Sequence, residues 1–329
     1  MPTWASPGRD TPRREVTRDG LFSLTPSRYQ RQALPLTLRL LADPLEARRL
    51  LRGARFAATG GHHQVHAMLR HGPTSPALMF RIGMLTSDGV AFEAFFKPRQ
   101  RGYDDWATEI AACRLARALA VTIAPCAERE VPRAVLADAL ARVPAATRAR
   151  LRWSSGGRSI FGFFRLWAPT YRGGLGRRRA TASLLGQLAS VLRVVNRSRV
   201  LASPLHQALS DLFVLDFLLY NNDRRRNLGV LRDGDRLHLY PIDFGDGLTA
   251  TPKKKRLCRR LLLGTGLFRR RLLLRLHGLD CAGVRRLLTH GRFGLLVPER
   301  QLVLLMRQRR VLLGHIAWVV KRYGDRTLF

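Results

Sequence analysis

The sequence predicts an α+β fold with two lobes, in which a small antiparallel sheet precedes a mainly helical half. Residues 77–86 and 90–98 read as strands joined by Ser87-Asp88-Gly89, a turn sequence typical of β-hairpins. Apolar residues recur at helical spacing over 106–120, and Leu- and Arg-rich helical patterns dominate beyond residue 180. The predicted divisions are a flexible arm rich in Pro and Arg, a smaller lobe and a helical lobe: 1–35, 36–168 and 169–329.

The other elements follow from the same patterns. Helical turns are expected at 36–52 around Pro44, and short strands on either side of Gly60-Gly61. The apolar run SIFGFFRLW predicts a buried strand at 159–167, which ends before Pro169. The predicted remainder consists of helices at 133–152, 180–195, 205–220, 256–276, 281–290 and 298–323, and strands at 228–231 and 237–242.

The charge of the chain is strongly positive. Its 329 residues carry a net charge of +35, and the pI is about 11.8. The excess can reflect a polyanionic partner such as nucleic acid or an acidic protein. It can equally reflect a compositional bias, because almost all of the basic residues are Arg and no regular basic motif organises them. Both explanations stay open.

The cysteines and the hydropathy bear on the compartment. Four cysteines lie at wide spacings without a C-x-x-C pair, which predicts reduced thiols rather than a disulfide framework or a zinc site. There is no run of about eighteen uncharged apolar residues, so no transmembrane segment is predicted. The N-terminus also lacks the apolar core of a signal peptide. We therefore expect a cytoplasmic protein.

Lysine usage is the most informative feature of the sequence. Lys97 is the only lysine before residue 253, in a chain that otherwise uses Arg. It ends the alternating strand VAFEAFFKP, which indicates a position that needs a compact ammonium, as in gripping a phosphate. Glu109 follows in the next predicted helix, beside its apolar stripe, and is expected to pair with Lys97. The alternatives are a surface lysine and a solvated glutamate on a helix face.

Two loops in the second half carry the other candidate groups. Asp223 and Asn227 lie in the run NNDRRRN, where a carboxylate can accept a proton from a hydroxyl and an amide oxygen can hold a metal. An ordinary polar turn is the alternative. Asp243 lies in LYPIDFGDGL, where a strand leads into a glycine-flanked loop that suits a ligand of Mg²⁺ or Mn²⁺. Nearby Asp246 is either a second ligand or a cap.

Two further segments are candidate nucleotide-binding elements. Gly60 and Gly61 lie between two predicted strands, in the place of a loop that covers phosphates, although a plain hairpin turn fits nearly as well. Leu166 and Trp167 end a strand and can offer backbone hydrogen bonds and an apolar floor to adenine; packing in the core is the competing explanation. The histidines beside the glycines lack further ligands, so a zinc site is not predicted.

With these residues in place, the chain resembles a family of atypical kinases. The motifs FFKPRQRG, LDFLLYNNDRRRNLGV and YPIDFGDGL resemble secretory-pathway kinases of the Golgi casein kinase and Golgi-associated kinase type. They are similar, more distantly, to type II phosphatidylinositol 4-kinases and HipA-type kinases. The resemblance implies a bilobal protein-kinase-like fold that uses ATP with Mg²⁺ or Mn²⁺. It implies phosphate contact by Lys97, a paired Glu109, catalysis by Asp223 and metal binding by Asp243.

The function predicted on this basis is transfer of the γ-phosphoryl group of ATP to a hydroxyl. A protein Ser/Thr acceptor, such as an acidic protein, is the first expectation. A lipid or a small molecule is a second acceptor class, and transfer of AMP is a related reaction that the same fold can support. The alternative of a different class is a non-catalytic, pseudokinase-type binding module whose basic surface docks on nucleic acid or another polyanion.

Overall fold

A computed structural model describes most of the chain. The described residues are 14–16, 22–24, 28–59, 62–63, 65–71, 76–102, 105–168, 204–222, 224, 227–233 and 236–328. The predicted helix at 180–195 lies outside them. The chain divides into two compact units, Met1–Ala107 with Ala124–Pro169 and Thr108–Ile123 with Thr170–Phe329. Each unit is described by itself.

The first unit is organised by a six-stranded antiparallel sheet. The strand order is β3-β7-β8-β10-β9, and β6 also pairs with β7. The predicted hairpin is confirmed, because β7 and β8 pair directly and Gly89 has the positive φ of 83° that such a turn needs. The sheet strands are β3 (Arg55–Phe56), β6 (Val65–His71), β7 (Pro76–Leu85), β8 (Ala91–Pro98), β9 (Cys126–Pro132) and β10 (Ser159–Trp167).

Short elements complete the first unit. Asp43 caps the second helix by accepting hydrogen bonds from the N–H groups of Leu45 and Glu46, each at 2.9 Å, and Pro44 begins that helix as expected. The predicted helix at 133–152 is wrong in length, because Pro144 separates two shorter helices. These elements are the strands β1 (Arg14–Val16), β2 (Phe22–Leu24), β4 (Ala58–Thr59) and β5 (His62–His63), and the helices α1 (Arg28–Ala42), α2 (Pro44–Gly53), α4 (Arg133–Ala141) and α5 (Ala145–Arg148).

The sheet buries one face against helices α1, α2 and α4. Leu40, Leu51 and Leu136 pack there against Phe96 and Phe164 from the central strands. Burial of side chains of this size stabilises a fold by about 1.5–3 kcal/mol each. Because side chains alternate along a strand, the opposite face of β8 and β10 carries Lys97 and its neighbours.

The second unit is mainly helical. Its central helix α6 is buried over its last ten residues, from Leu209 to Leu218. The predicted single helix at 256–276 is wrong: two helices flank a segment in which Leu267 and Phe268 are buried and Phe268 bridges to Leu328. The elements are α3 (Asp105–Leu119), α6 (Pro204–Leu218), β11 (Leu228–Asp233), β12 (Arg236–Pro241), α7 (Pro252–Gly264), α8 (Arg270–Gly278), α9 (Cys281–Leu288), β13 (Thr289–His290), β14 (Gly294–Leu295), α10 (Glu299–Tyr323) and a 3₁₀ turn (Asp325–Thr327).

Helix α3 is held to this helical unit by arginine side chains. Arg114 of α3 donates to the carbonyl oxygens of α9 and β13. Arg275 and Arg269 donate in turn to the carbonyl oxygens of Ala118 and Ala120 at its C-terminal end. These bonds satisfy carbonyl groups that a helix leaves unpaired at its end, and a cation there is favourable for the helix dipole.

The cysteines differ from the expectation. Cys113 and Cys126 are disulfide-bonded, whereas Cys258 is a buried free thiol and Cys281 an exposed one. The prediction of reduced thiols is therefore wrong for the first two. Disulfides persist in oxidising compartments, which counts against the cytoplasmic location; that location stays a prediction. Within the described residues, no helix has the length and apolar character needed to cross a membrane.

Candidate functional site

Lys97 is buried on the central strand β8. Its residue is 2% exposed, and it lies opposite Phe163 of β10. The neighbouring Gly162 is required by this close packing, because a Cβ atom there would lie 2.3 Å from the carbonyl oxygen of Lys97. An ammonium with so little exposure is rare unless it has a partner or a function.

Leu166 and Trp167 lie at the end of β10, on opposite faces of the sheet. Trp167 pairs with Glu93 in the register and lies on the Lys97 face. Leu166 belongs to the apolar core on the other face, and its backbone N–H donates to the carbonyl oxygen of Pro125 at 2.9 Å. The adenine-binding role predicted for these two residues stays a prediction. Gly60 and Gly61, between β4 and β5, lie outside the described residues.

Glu109 is buried in α3 and contacts the loop after β12. Its residue is 1% exposed, and its Oε2 accepts a hydrogen bond from the backbone N–H of Phe244 at 3.1 Å. The contact joins residues 135 positions apart in the chain. Glu109 therefore holds the residue that directly follows Asp243. Its predicted pairing with Lys97 stays a prediction.

A buried ion pair organises the loop that contains Asp223. Arg224 forms a bidentate pair with Asp216 of α6, with Nε at 2.8 Å from Oδ2 and Nη2 at 2.7 Å from Oδ1. Asn221 donates from Nδ2 to the same carboxylate at 2.9 Å. Bidentate pairs of this kind fix geometry as well as energy. Asp223 itself lies outside the described residues. The network holds Arg224, which directly follows Asp223, and Asn221, two positions before it.

The same guanidinium reaches the loop that contains Asp243. Arg224 Nη1 donates to the carbonyl oxygens of Asn227 at 2.7 Å and Ile242 at 2.8 Å. Its guanidinium carbon lies 4.4 Å from the centroid of the Phe244 ring. Ile242 also donates its N–H to the carbonyl oxygen of Asn227 at 2.9 Å. The segments around Asn227 and Asp243 are therefore joined directly.

Asp243 has an unusual backbone conformation. Its φ is 57°, in the left-handed region that Asp adopts more often than most residues but that is still uncommon outside glycine, and its side chain is half-buried. Such a conformation costs about 1–3 kcal/mol and persists only where the surroundings enforce it. Here Arg224 holds the preceding residue, and Glu109 holds the following one.

Asp246 is engaged by a lysine. Lys254 Nζ lies 3.0 Å from Asp246 Oδ1 and also contacts the Asp246 carbonyl oxygen and the Thr249 hydroxyl. This contact joins Asp246 to α7, and its predicted role as a second metal ligand or a cap stays a prediction. Within the described ranges, no three His, Cys, Asp or Glu side chains form a group that could hold a metal ion.

Two buried groups outside this loop have shifted pKa values. Burial raises the pKa of Asp211 on α6 to about 6, although the neighbouring Arg269 opposes the shift. Burial also raises the pKa of the Cys258 thiol to about 12, with a further contribution from the Asp216 charge. A thiol with so high a pKa is not a nucleophile at neutral pH.

Sequence reasoning missed the network of Asp216, Asn221 and Arg224. In the sequence, Asp216 is one of two aspartates in a largely apolar helix, which is a weak signal of a buried partner. Arg224 is the first of three successive arginines, and nothing in the sequence distinguishes it from the other two.

Comparison with known proteins identifies the fold. No protein-family model matches the sequence, and no curated protein does. A structure of hydra Fam20 with sugar matches with a TM-score of 0.55 and 14% identity, over 85% of this chain and 90% of that one. The fold is kinase-like. The predicted fold class is confirmed, and the predicted resemblance to atypical kinases is confirmed at the level of the fold.

Two further structures match at lower scores. The Golgi casein kinase matches with a TM-score of 0.49 and 14% identity, over 87% of this chain and 77% of that one. The Helicobacter pylori proinflammatory kinase CtkA matches with a TM-score of 0.38 and 14% identity, over 79% of this chain and 96% of that one.

Proposed function

We propose that this chain is an ATP- and divalent-metal-dependent phosphotransferase that transfers the γ-phosphoryl group of ATP to a hydroxyl. The observation that carries the proposal is the strained backbone of Asp243, held on one side by Arg224 and on the other by Glu109. Strain that the surroundings enforce at a carboxylate is typical of functional sites. The likeness to hydra Fam20 supports the fold that the proposal needs.

The donor set fits the proposed cofactors. Asp243 and Asn227 provide carboxylate and amide oxygens, the hard ligands that Mg²⁺ and Mn²⁺ prefer. A bound metal ion would neutralise phosphate charge. Lys97 provides a buried ammonium for a phosphate oxygen. Glu109 orients the Asp243 loop through the Phe244 N–H.

Asp223 is the proposed proton acceptor. A carboxylate beside the acceptor hydroxyl takes its proton as the oxygen attacks phosphorus, a contribution of about 10²–10⁴ to the rate. The neighbouring Arg224 is buried and bonded to Asp216, so the start of this loop has a fixed anchor.

The test is turnover of ATP by the purified chain. ADP release and protein labelling from γ-labelled ATP are measured with Mg²⁺ and with Mn²⁺, for wild type and for Lys97→Met and Asp243→Asn. Lys321→Met, which removes an exposed lysine of α10, is the matched control. We expect both site variants to lose activity by at least about 100-fold, equivalent to about 2.7 kcal/mol, and the control to keep it. If Lys97→Met and Asp243→Asn both keep the activity of wild type, the proposal is contradicted.

The acceptor is addressed by mass spectrometry. Products formed with ATP and a protein lysate, or with lipid extracts, are compared for added phosphate and for added AMP. A protein Ser/Thr acceptor is the first candidate, and a lipid or a small molecule is the second. Mass shifts of AMP rather than phosphate would redefine the reaction while leaving ATP binding in place.

A binding function is the second candidate. Helix α7 exposes five cations along its length and no acidic residue: Lys253, Lys255, Arg256, Arg259 and Arg260. Such a face attracts nucleic acid or another polyanion. Binding to DNA that weakens steeply with salt, in a protein without ATP turnover, would favour this function.

A further inference from the structure

The sheet face that carries Lys97 also carries a buried guanidinium. Arg165 lies on β10 two residues beyond Phe163, which is opposite Lys97. Side chains two residues apart on a strand share a face, so Arg165 and Lys97 occupy diagonal positions about 7–8 Å apart between Cα atoms. Arg165 is only 6% exposed.

One nitrogen of the Arg165 guanidinium has no acceptor in the described part of the chain. Its Nη1 is buried without a hydrogen-bond partner, and its guanidinium carbon lies 4.9 Å from the centroid of the Phe95 ring. An aromatic face offsets only part of the cost of burying a charge. The neighbouring Arg81 has an opposite charge beside it, because its Nε lies 3.0 Å from Oε1 of Glu93. Because buried donors are nearly always paired, Arg165 indicates an acceptor that a ligand brings.

The chain that directly follows the strand cannot supply a carboxylate. Residues 169–203 contain no Asp and no Glu. The flat rings next to Arg165 favour a planar ligand, since Phe95 and Trp167 stack with their centroids 6.0 Å apart.

We propose that Arg165 donates hydrogen bonds to the base of the bound nucleotide and makes the site accept GTP as well as ATP. The inference rests on the proposed function, in which Lys97 holds the phosphates. Strand β10 runs from Phe163, opposite Lys97, through Arg165 to Trp167. Arg165 therefore lies on the side toward Trp167, where the base would lie.

The chemistry of the two purines explains the predicted preference. Guanine presents the neighbouring acceptors O6 and N7, which match the two parallel N–H donors of a guanidinium. Adenine presents N7 beside the N6 amino group, which is itself a donor, so it offers only one of these two acceptors. The guanidinium of Arg165 thus gains more from guanine than from adenine.

The experiment is calorimetric titration with the non-hydrolysable imido analogues of ATP and GTP, each with Mn²⁺. Wild type is compared with Arg165→Met and Arg165→Lys, and Arg158→Met, at an exposed arginine just before the same strand, is the control. We expect both analogues to bind wild type with similar affinity. Arg165→Met should weaken the GTP analogue about 10-fold, the discrimination of one bidentate contact, and the ATP analogue less than about threefold. Thermal unfolding checks that each variant is folded. If Arg165→Met does not fold, the binding measured for Arg165→Lys decides the test.

The outcomes separate the two proposals. If wild type binds the ATP analogue but not the GTP analogue, or if the Arg165 variants bind both as wild type does, this inference is overturned and the proposed function stands. If the Arg165 variants bind both analogues and inorganic tripolyphosphate more weakly by the same factor, Arg165 contacts the phosphates rather than the base. That result also overturns the inference. If wild type binds neither analogue, or Lys97→Met binds both unchanged, the proposed function fails and the inference fails with it.

Discussion

Replacing Arg224 by Met removes the guanidinium that joins the two loops of the site while keeping much of the side-chain volume. The side chain of Arg224 is 7% exposed and that of Asp216 is 0% exposed. The substitution deletes two hydrogen bonds to the Asp216 carboxylate and two to the carbonyl oxygens of Asn227 and Ile242. It leaves the carboxylate buried with one remaining side-chain donor, Asn221.

The expected loss follows from the uncompensated charge. Removing one partner of a buried ion pair costs about 3–5 kcal/mol, because the other charge stays in a medium that solvates it poorly. The bond from Asn221 offsets part of this cost, and the two carbonyl oxygens that lose their donor add to it. We therefore expect Arg224→Met to lower the free energy of unfolding by about 4 kcal/mol. That is a large fraction of the 5–15 kcal/mol typical of a folded domain.

Urea unfolding at neutral pH, followed by circular dichroism, measures this loss. The control is Arg285→Met, which removes an exposed ion pair with Glu299, whose side chains are 52% and 54% exposed. An exposed pair contributes about 0–1 kcal/mol. The double variant Asp216→Leu/Arg224→Met should recover much of the stability, since no unpaired charge remains. A loss for Arg224→Met no larger than that of the control would refute the reasoning.

Three further predictions concern the rest of the fold. Burial raises the pKa of Asp211 to about 6 from 3.8, so its contribution to stability is present below pH 4 and is lost as the pH rises through 6. Relative to Asp211→Asn, wild type should therefore lose about 2 kcal/mol between pH 4.5 and 7.5, measured from urea midpoints. Gly162→Ala places a Cβ 2.3 Å from a backbone carbonyl oxygen and should lower the free energy of unfolding by about 3 kcal/mol, measured by thermal unfolding. The control is Gly53→Ala, whose Cβ would have nothing within 4 Å and which should be neutral or slightly stabilising. Thiol titration of the denatured chain should count two thiols, Cys258 and Cys281, before reduction and four after it; four before reduction would contradict the disulfide-bonded state of the other two.

The sequence by itself determined the elements that depend on near neighbours. Alternating residues on both sides of a Ser-Asp-Gly turn are enough to predict the β7–β8 hairpin, because strand period and turn chemistry are local. The same logic placed Lys97 near the end of a strand and Asp243 in the loop after a hairpin. Those predictions needed no knowledge of which elements touch.

Only the tertiary structure decided which polar groups become partners. Glu109 contacts Phe244 across 135 positions, and Arg224, one of three successive arginines, is buried. Both results depend on how helices and loops pack. Arg165 is a further case. Its Nη1 is recognised as buried and unpaired only when the packing around its strand is known. The cause is physical: burial determines the free energy of a charge, and burial is a property of the packed chain that no local pattern encodes.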